Sequence, residues 1–263
     1  MIPGCFAGLA NAAWSDLIEE LDLWAEAGQV AALWWRDDDA VEQTAQLDRL
    51  LGLAEAVPLA LAVIPATVQP SLASALAGAP DVVVLQHGWA HANHAGTGKK
   101  SEFPSSRPAR AVFDELITGR KRLAELFGPR FMPVLVPPWN RFADDFLPLL
   151  AEAGLYAISR IPRPTPASPI PEIDVHVDLV DWHAERGFIG EASALAGLLA
   201  QLRRRRLGEH DRITGILTHH LVMDAAAAGF LARLVALVRE HPAAAWVIPA
   251  ACRPDRDRTG APA

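Results

Sequence analysis

The sequence predicts an α/β protein, a single (β/α)7-8 barrel, closed or slightly irregular, with its site at the carboxyl ends of the strands. Three observations predict it. The length of 263 residues fits one large domain of the ~250 residues that such barrels commonly occupy. Short apolar runs alternate along the chain with longer segments of helical period. The residues capable of chemistry gather just after the apolar runs, on the face where barrel enzymes place their sites.

An acidic amphipathic helix is expected first, near residues 15–27. Strands follow at 30–35, 58–64, 82–85, 132–136, 155–159, 173–179, 213–218 and 245–248. Helical periodicity fills 41–56, 108–127 and 224–240, and another helix begins near Ser193. Seven or eight β/α units result, which suits a barrel better than an open doubly wound sheet. Two stretches break the rhythm: the polar segment 88–107 and the Pro-rich 161–171, both read as loops over the barrel mouth. Residues 1–252 form the expected domain, and the charged 253–263 a flexible tail.

A hydrophobic share of 51% with 21% charged residues allows a full core. The net charge of -7 argues against a nucleic-acid partner, which normally needs a basic face. The run Arg203 to Arg206 is expected to be a solvated helix face. Cys5 and Cys252 lie near opposite ends, so neither a zinc knuckle nor a disulfide framework is expected. No stretch reaches the ~20 apolar residues of a membrane span. No Lys or Arg precedes Arg36, so the start lacks the basic region of a secretory signal, although the alanine-rich 7–13 resembles a weak cleavage site. A cytoplasmic protein of unstated oligomeric state, with no membrane partner, is expected.

Five sets of residues carry the chemistry. Arg36-Asp37-Asp38-Asp39 ends the first strand. Three adjoining carboxylates repel one another unless a cation or solvent offsets their charge; the plain alternative is a solvated helix start. His87 and His91, four residues apart, could meet one ion from one helical turn. His94 is read as exposed or supporting. After the fourth strand, Pro137 and Pro138 have no N–H, so Trp139 is the first backbone donor, which suits an oxyanion site. Asp178 to His183 follows the sixth strand. His219 and His220 end the seventh, and either could be a general acid suited to neutral pH or a paired core histidine.

Together these sets resemble the polysaccharide deacetylase family, also called carbohydrate esterase family four. The resemblance rests on Asp38-Asp39, His87 to His91, Val136-Pro137-Pro138-Trp139, Asp178 to Trp182, and Leu217-Thr218-His219, in that order, over about residues 30 to 250. It implies Asp38 as catalytic base, and Asp39, His87 and His91 as ligands of a divalent metal, zinc by first choice. It further implies attack of a metal-bound water on an acetamide carbonyl, an oxyanion held by the metal and the Trp139 N–H, and protonation of the leaving amine by His219, tuned by Asp178 or Asp181.

The chain departs from the family pattern in two places. Val136 stands where the family has an arginine that pairs with the base, and the first element reads Arg-Asp-Asp-Asp. Arg36 shares a strand face with Asp38 by period two and is the first replacement, with Arg141 second. Alternation also turns Asp37 outward, and the rival register, Asp37 as base with Asp38 as ligand, stays open at this point. Trp34, Trp35, Trp89, Trp139 and Trp182 lie in or beside these elements, so a saccharide or similar small molecule is the expected substrate, although at least one of Trp34 and Trp35 belongs to the core. Two other readings remain: a metal-independent amide hydrolase of the allantoinase-like branch, and a catalytically silent carbohydrate-binding relative.

Overall fold

A computed structural model describes residues 12–163, 168–183, 186–210 and 213–252. Cys5, most of the alanine-rich 7–13, part of the Pro-rich loop and the expected tail lie outside the described residues.

Nine parallel strands make one curled sheet ringed by helices. In chain order they are α1 (Trp14–Glu26), β1 (Ala31–Ala40), α2 (Ala45–Leu53), β2 (Leu59–Val63), α3 (Pro70–Leu76), β3 (Val82–His87), α4 (Ala109–Phe127), β4 (Phe131–Val136), α5 (Leu147–Glu152), β5 (Ala157–Arg160), β6 (Glu172–Asp174), β7 (Val177–Asp178), α6 (Glu191–Arg206), β8 (Thr214–Thr218), α7 (Ala225–Glu240) and β9 (Ala244–Trp246). The sheet order is β6-β5-β4-β3-β2-β1-β8-β7, with β9 on β1. The α/β barrel architecture predicted from the alternating apolar runs is therefore present.

One expected strand, 173–179, is two. Residues 172–174 pair with β5, and 177–178 pair with β8. Between them the Val175 N–H donates to Arg160 O, and the His176 N–H to Gly215 O. The two ends of the sheet order are thus halves of one continuous segment that changes partner midway, and this segment completes the ring. The apolar residues keep period two through the switch, although Ile173 and Val175 lie in the interior cluster and Val177 and Leu179 in the outer one, so periodicity does not mark it. α2 is also shorter than its apolar pattern: Thr44 caps it, accepting from the Leu47 N–H at 3.0 Å, and four residues expected in its first turn lie ahead of the helix.

Alternation sorts each strand into two faces. Inside the barrel, Trp34, Ala60, Ala62, Leu85, Val134, Val136, Ala157, Ile173 and Leu217 make one buried cluster. Outside, Leu33, Trp35, Leu59 and Ile216 pack beneath the helices with Leu17, Leu47, Leu199 and Leu231. Both Trp34 and Trp35 are core; the Trp34 indole donates to Asp174 O and the Trp35 indole to the Thr218 hydroxyl. Neither is available to stack on a sugar.

The Arg203 to Arg206 run is not merely a solvated face. Arg206 makes a two-bond contact with the buried Glu20 of α1 at 2.8 and 3.1 Å, and Arg203 reaches it at 3.4 Å. Arg205 donates to Ala32 O and lies over the Trp24 ring. The run fastens α6 to α1 because a buried carboxylate needs a cation at hand.

Ring closure is tight at Gly215, where an added Cβ would lie 2.3 Å from Asp174 O and 2.4 Å from the Trp34 indole nitrogen. Both neighbours are held by their mutual hydrogen bond, so neither can yield cheaply. Gly215→Ala should cost ~2 kcal/mol or more in urea denaturation; a loss under ~0.5 kcal/mol would show that closure tolerates a wider gap.

Candidate metal centre and active site

The site is assembled from strand ends, beginning with β1. Arg36 and Asp38 follow Trp34 into the barrel, and all are buried. The Arg36 Nε lies 2.8 Å from Asp38 Oδ1, and Nη2 donates to Asp38 Oδ2 at 2.9 Å, a two-pronged contact suited to a guanidinium and a carboxylate. Arg36 also donates from Nη1 to the Ser159 hydroxyl at 2.7 Å and from Nη2 to Asn140 Oδ1 at 2.8 Å. Arg141, the second candidate partner, instead donates to Lys100 O.

After Asp38 the strand ceases to alternate. The β1–β2 register shifts between Asp37 and Ala40, and Asp39 has φ 73°. Aspartate tolerates this left-handed conformation better than most residues. Consequently Asp38 and Asp39, adjacent in sequence, both serve the mouth, where plain alternation would have sent Asp39 to the side of Asp37.

His87 and His91 meet Asp39 there. The His87 Nε2 is 3.0 Å and the His91 Nε2 3.4 Å from Asp39 Oδ1. The donor atoms of these three residues lie within 4.8 Å of one another. The other nitrogen of His87, Nδ1, bonds to Val136 O at 3.0 Å, which fixes the ring so that Nε2, once its proton is lost, is the nitrogen offered to a metal. Burial holds His91 below its ordinary pKa and hence neutral. Two imidazole nitrogens and one carboxylate oxygen suit zinc or another first-row divalent ion.

The two histidines do not share a helical turn. Residues 88–91 form a bend, with φ 56° at both Gly88 and His91. The bend is built around Glu102, a residue the sequence reading overlooked. Glu102 is 0% exposed and accepts from the N–H groups of Trp89, Ala90 and Ala92 at 3.0, 2.7 and 3.4 Å. Burial nevertheless raises its pKa, because the three N–H groups only partly offset desolvation. A Cβ on Gly88 would lie 1.9 Å from Glu102 Oε2, so glycine is required for the carboxylate to sit under the bend. The only sequence signal was a lone acid inside a polar loop.

The rest of the mouth comes chiefly from three other strand ends, those of β4, β7 and β8. Trp139 has φ 56°, and its ring packs on His91 with centroids 4.4 Å apart. Lys100 Nζ lies 5.9 Å from the same ring. His219 is buried, with Nδ1 3.9 Å from Asp178 Oδ1, and its ring meets Trp182 edge-on at 4.7 Å. Asp178 accepts from the Trp182 indole at 2.8 Å, and burial raises its pKa. Asp181 accepts from the His183 N–H, and His94 is exposed in the loop. Asp37 lies on the opposite face of β1 from Asp38, as alternation required, yet it is 0% exposed, not solvated. It is bound to Thr218 and to His220, where burial favours the neutral ring but the charge and hydrogen bond of Asp37 together raise the pKa.

This arrangement defines a class by architecture. The fold is that of the polysaccharide deacetylases and family 4 carbohydrate esterases. Among solved structures, a Mycobacterium smegmatis protein assigned as a polysaccharide deacetylase matches with a TM-score of 0.62 and 18% identity, covering 84% of this chain and 87% of its own. A Streptococcus mutans family 4 esterase matches with a TM-score of 0.57 and 12% identity over 88% of this chain and 90% of that one. A Streptomyces lividans family 4 carbohydrate esterase, solved with acetate, gives 0.54 and 13% over 85% and 94%. No protein-family model and no curated protein matches the sequence.

Two predictions follow from the ligands and their support. For His87, burial favours the neutral form, but the charge of Asp38 and the hydrogen bond to Asp39 prevail and raise its pKa above 6.5. A metal must displace that proton, so zinc added at pH 6.5 or below should release protons, read from the buffer dependence of the binding enthalpy, and affinity should fall as pH drops. Binding without proton release, at unchanged affinity down to pH 5.5, would refute this. Glu102→Gln keeps the shape but turns an amide toward backbone N–H groups; zinc affinity should weaken ~10-fold or more by titration calorimetry, as when groups behind a ligand are lost.

Proposed function

We propose that the chain is a divergent family 4 carbohydrate esterase that hydrolyses an N-acetyl (amide) group on a sugar or sugar-like substrate with the aid of a divalent metal, zinc by first choice. One observation carries the reading: Asp39, His87 and His91 converge beside a carboxylate held by an arginine and within the field of His219. The neighbours described as esterases and deacetylases support it, as does the acetate held by one of them.

Asp39, His87 and His91 would hold the ion, which when bound supplies Lewis acidity for deprotonating water and polarising a carbonyl. Asp38 accepts the proton of the attacking water. Arg36 holds both of its oxygens and fixes its plane, the service that the family arginine absent at Val136 would otherwise give. The Trp139 N–H, placed by a left-handed residue behind two prolines, is the donor for the developing oxyanion. His219, between Asp178 and Trp182, protonates the leaving nitrogen. Trp182, 44% exposed, and the half-buried Trp139 are the aromatic faces open to a sugar ring.

The donor triad favours this reading over the metal-independent hydrolase, which has no use for it. Asp39→Ala should strip the ion, measured by metal analysis of protein purified without chelator, and activity should fall with occupancy. Asp38→Asn should retain metal yet deacetylate acetamido sugars at least ~10²-fold more slowly. His219→Ala should cost about 10² to 10⁴ in rate at unchanged occupancy and remove one limb of the pH profile. Full activity in metal-free protein would end the metal-dependent reading; an active Asp38→Asn would show that the base lies elsewhere.

A further inference from the structure

A second polar network lies on the other side of β1, and the proposed chemistry makes no use of it. Asp37 Oδ2 accepts from the Thr218 hydroxyl at 2.6 Å, and Asp37 Oδ1 is 2.5 Å from His220 Nδ1. The Thr218 oxygen in turn accepts from the Trp35 indole at 2.8 Å. Asp37, Thr218 and His220 are 0%, 1% and 2% exposed. An ionised carboxylate with so little solvent is costly unless fully partnered, and every bond here crosses from β1 to the end of β8.

The bonded residues flank His219 on both sides. Thr218 precedes it as the last residue of β8, paired in register with Asp37, and His220 follows it. Period-two geometry turns the side chains of 218 and 220 to the outer face and that of 219 to the mouth. On the mouth side the ring of His219 has only loose support: 3.9 Å to Asp178 and an edge contact with the exposed Trp182. On the other strand, Asp37 directly precedes Asp38. One carboxylate therefore ties the residues on either side of the acid to the residue next to the base.

We propose that Asp37, acting through Thr218 and His220, is a positioning residue that fixes the backbone and ring direction of His219 relative to Asp38. This rests on the reading of His219 as general acid. The network is a clamp behind the site; it touches neither the donor triad nor the substrate. A short bond to each flanking residue restrains the peptide planes on both sides of His219, which a single contact to its ring would not do. A general acid displaced by ~1 Å can lose on the order of 10²-fold in rate.

The test is a double-mutant cycle between Asp37→Asn and His219→Ala, with metal occupancy and thermal unfolding measured for each protein. Asp37→Asn should lower kcat ~10-fold or more with KM and occupancy little changed, and should add nothing in the His219→Ala background. Equal losses in both backgrounds, or none in the native one, would overturn the proposal alone. A silent His219→Ala would overturn the acid assignment and the proposal with it. Should Asp37→Asn fail to fold, His220→Asn and His220→Gln replace it: the asparagine amide nitrogen can take the place of Nδ1 and should retain most of kcat, whereas glutamine should not. Equal kcat in these two variants would count against the clamp. In protein as purified, the imidazole signals of His219 should be sharp and should broaden in Asp37→Asn; unchanged signals would contradict it.

Discussion

Three consecutive carboxylates at the end of a buried strand must each find a separate positive partner, and the site is laid out by that requirement. Left together at ε near 20, unit charges 4 Å apart would repel by ~4 kcal/mol per pair. The fold distributes them. Asp37 goes outward to His220, Asp38 inward to Arg36, and Asp39, turned by its left-handed backbone, meets His87 and His91. The proposed roles follow from the partners. The carboxylate held by an arginine keeps lone pairs for a proton; the one among imidazoles has the surroundings of a metal ligand; the one with the buried histidine can only be structural or positioning.

The scaffold meets this demand by joining strands through single polar groups. Arg36 alone links the ends of β1, β4 and β5, since its guanidinium reaches Asp38, Asn140 and Ser159. Asp37 links β1 to β8. Glu102 gathers three N–H groups of the bend between β3 and the long loop, so His91 is placed by a carboxylate it never touches. Each is buried where an unpaired charge would be strongly disfavoured, and so each contact resists small displacements of the strand ends. Ring closure by residues 172–178 adds a rigid wall beneath Asp178, which faces His219.

What could be read from the sequence was what period and strand order control. The alternation of β1 placed Arg36 with Asp38 and Asp37 opposite, and the strand ends brought Asp39, His87 and His91 together. What could not be read depends on backbone signs and distant partners. Nothing in Asp38-Asp39-Ala40 announces the positive φ that lets two adjacent residues share one cavity. The four-residue spacing of His87 and His91 suggested a helical turn, and only the position of Glu102 shows that a bend takes its place. Asp37 seemed free to face solvent because its partners are 181 and 183 residues away. The switch of partner inside 172–178 was hidden for the same reason: hydrogen-bond partners leave no periodic trace.

Val136 serves the site through its main chain alone. The residue that in the family pattern presents a guanidinium is here apolar and part of the barrel core. Its carbonyl nevertheless accepts from the His87 imidazole at 3.0 Å and from the Gly88 N–H at 3.0 Å, fixing both the tautomer of a donor and the start of the bend. The main-chain service of the position survives any side chain, whereas the cation it would have carried must be restored within reach of Asp38. Residue 36 is suited to that task, because it lies two residues before the base on the same inward face and can hold both oxygens without crossing the barrel. The cost is a fully buried guanidinium, and it is met by Ser159 and Asn140, one from each of two further strand ends. Arginine at position 36 and asparagine at 140 are therefore linked, since removing either leaves a polar group at the strand ends without its partner.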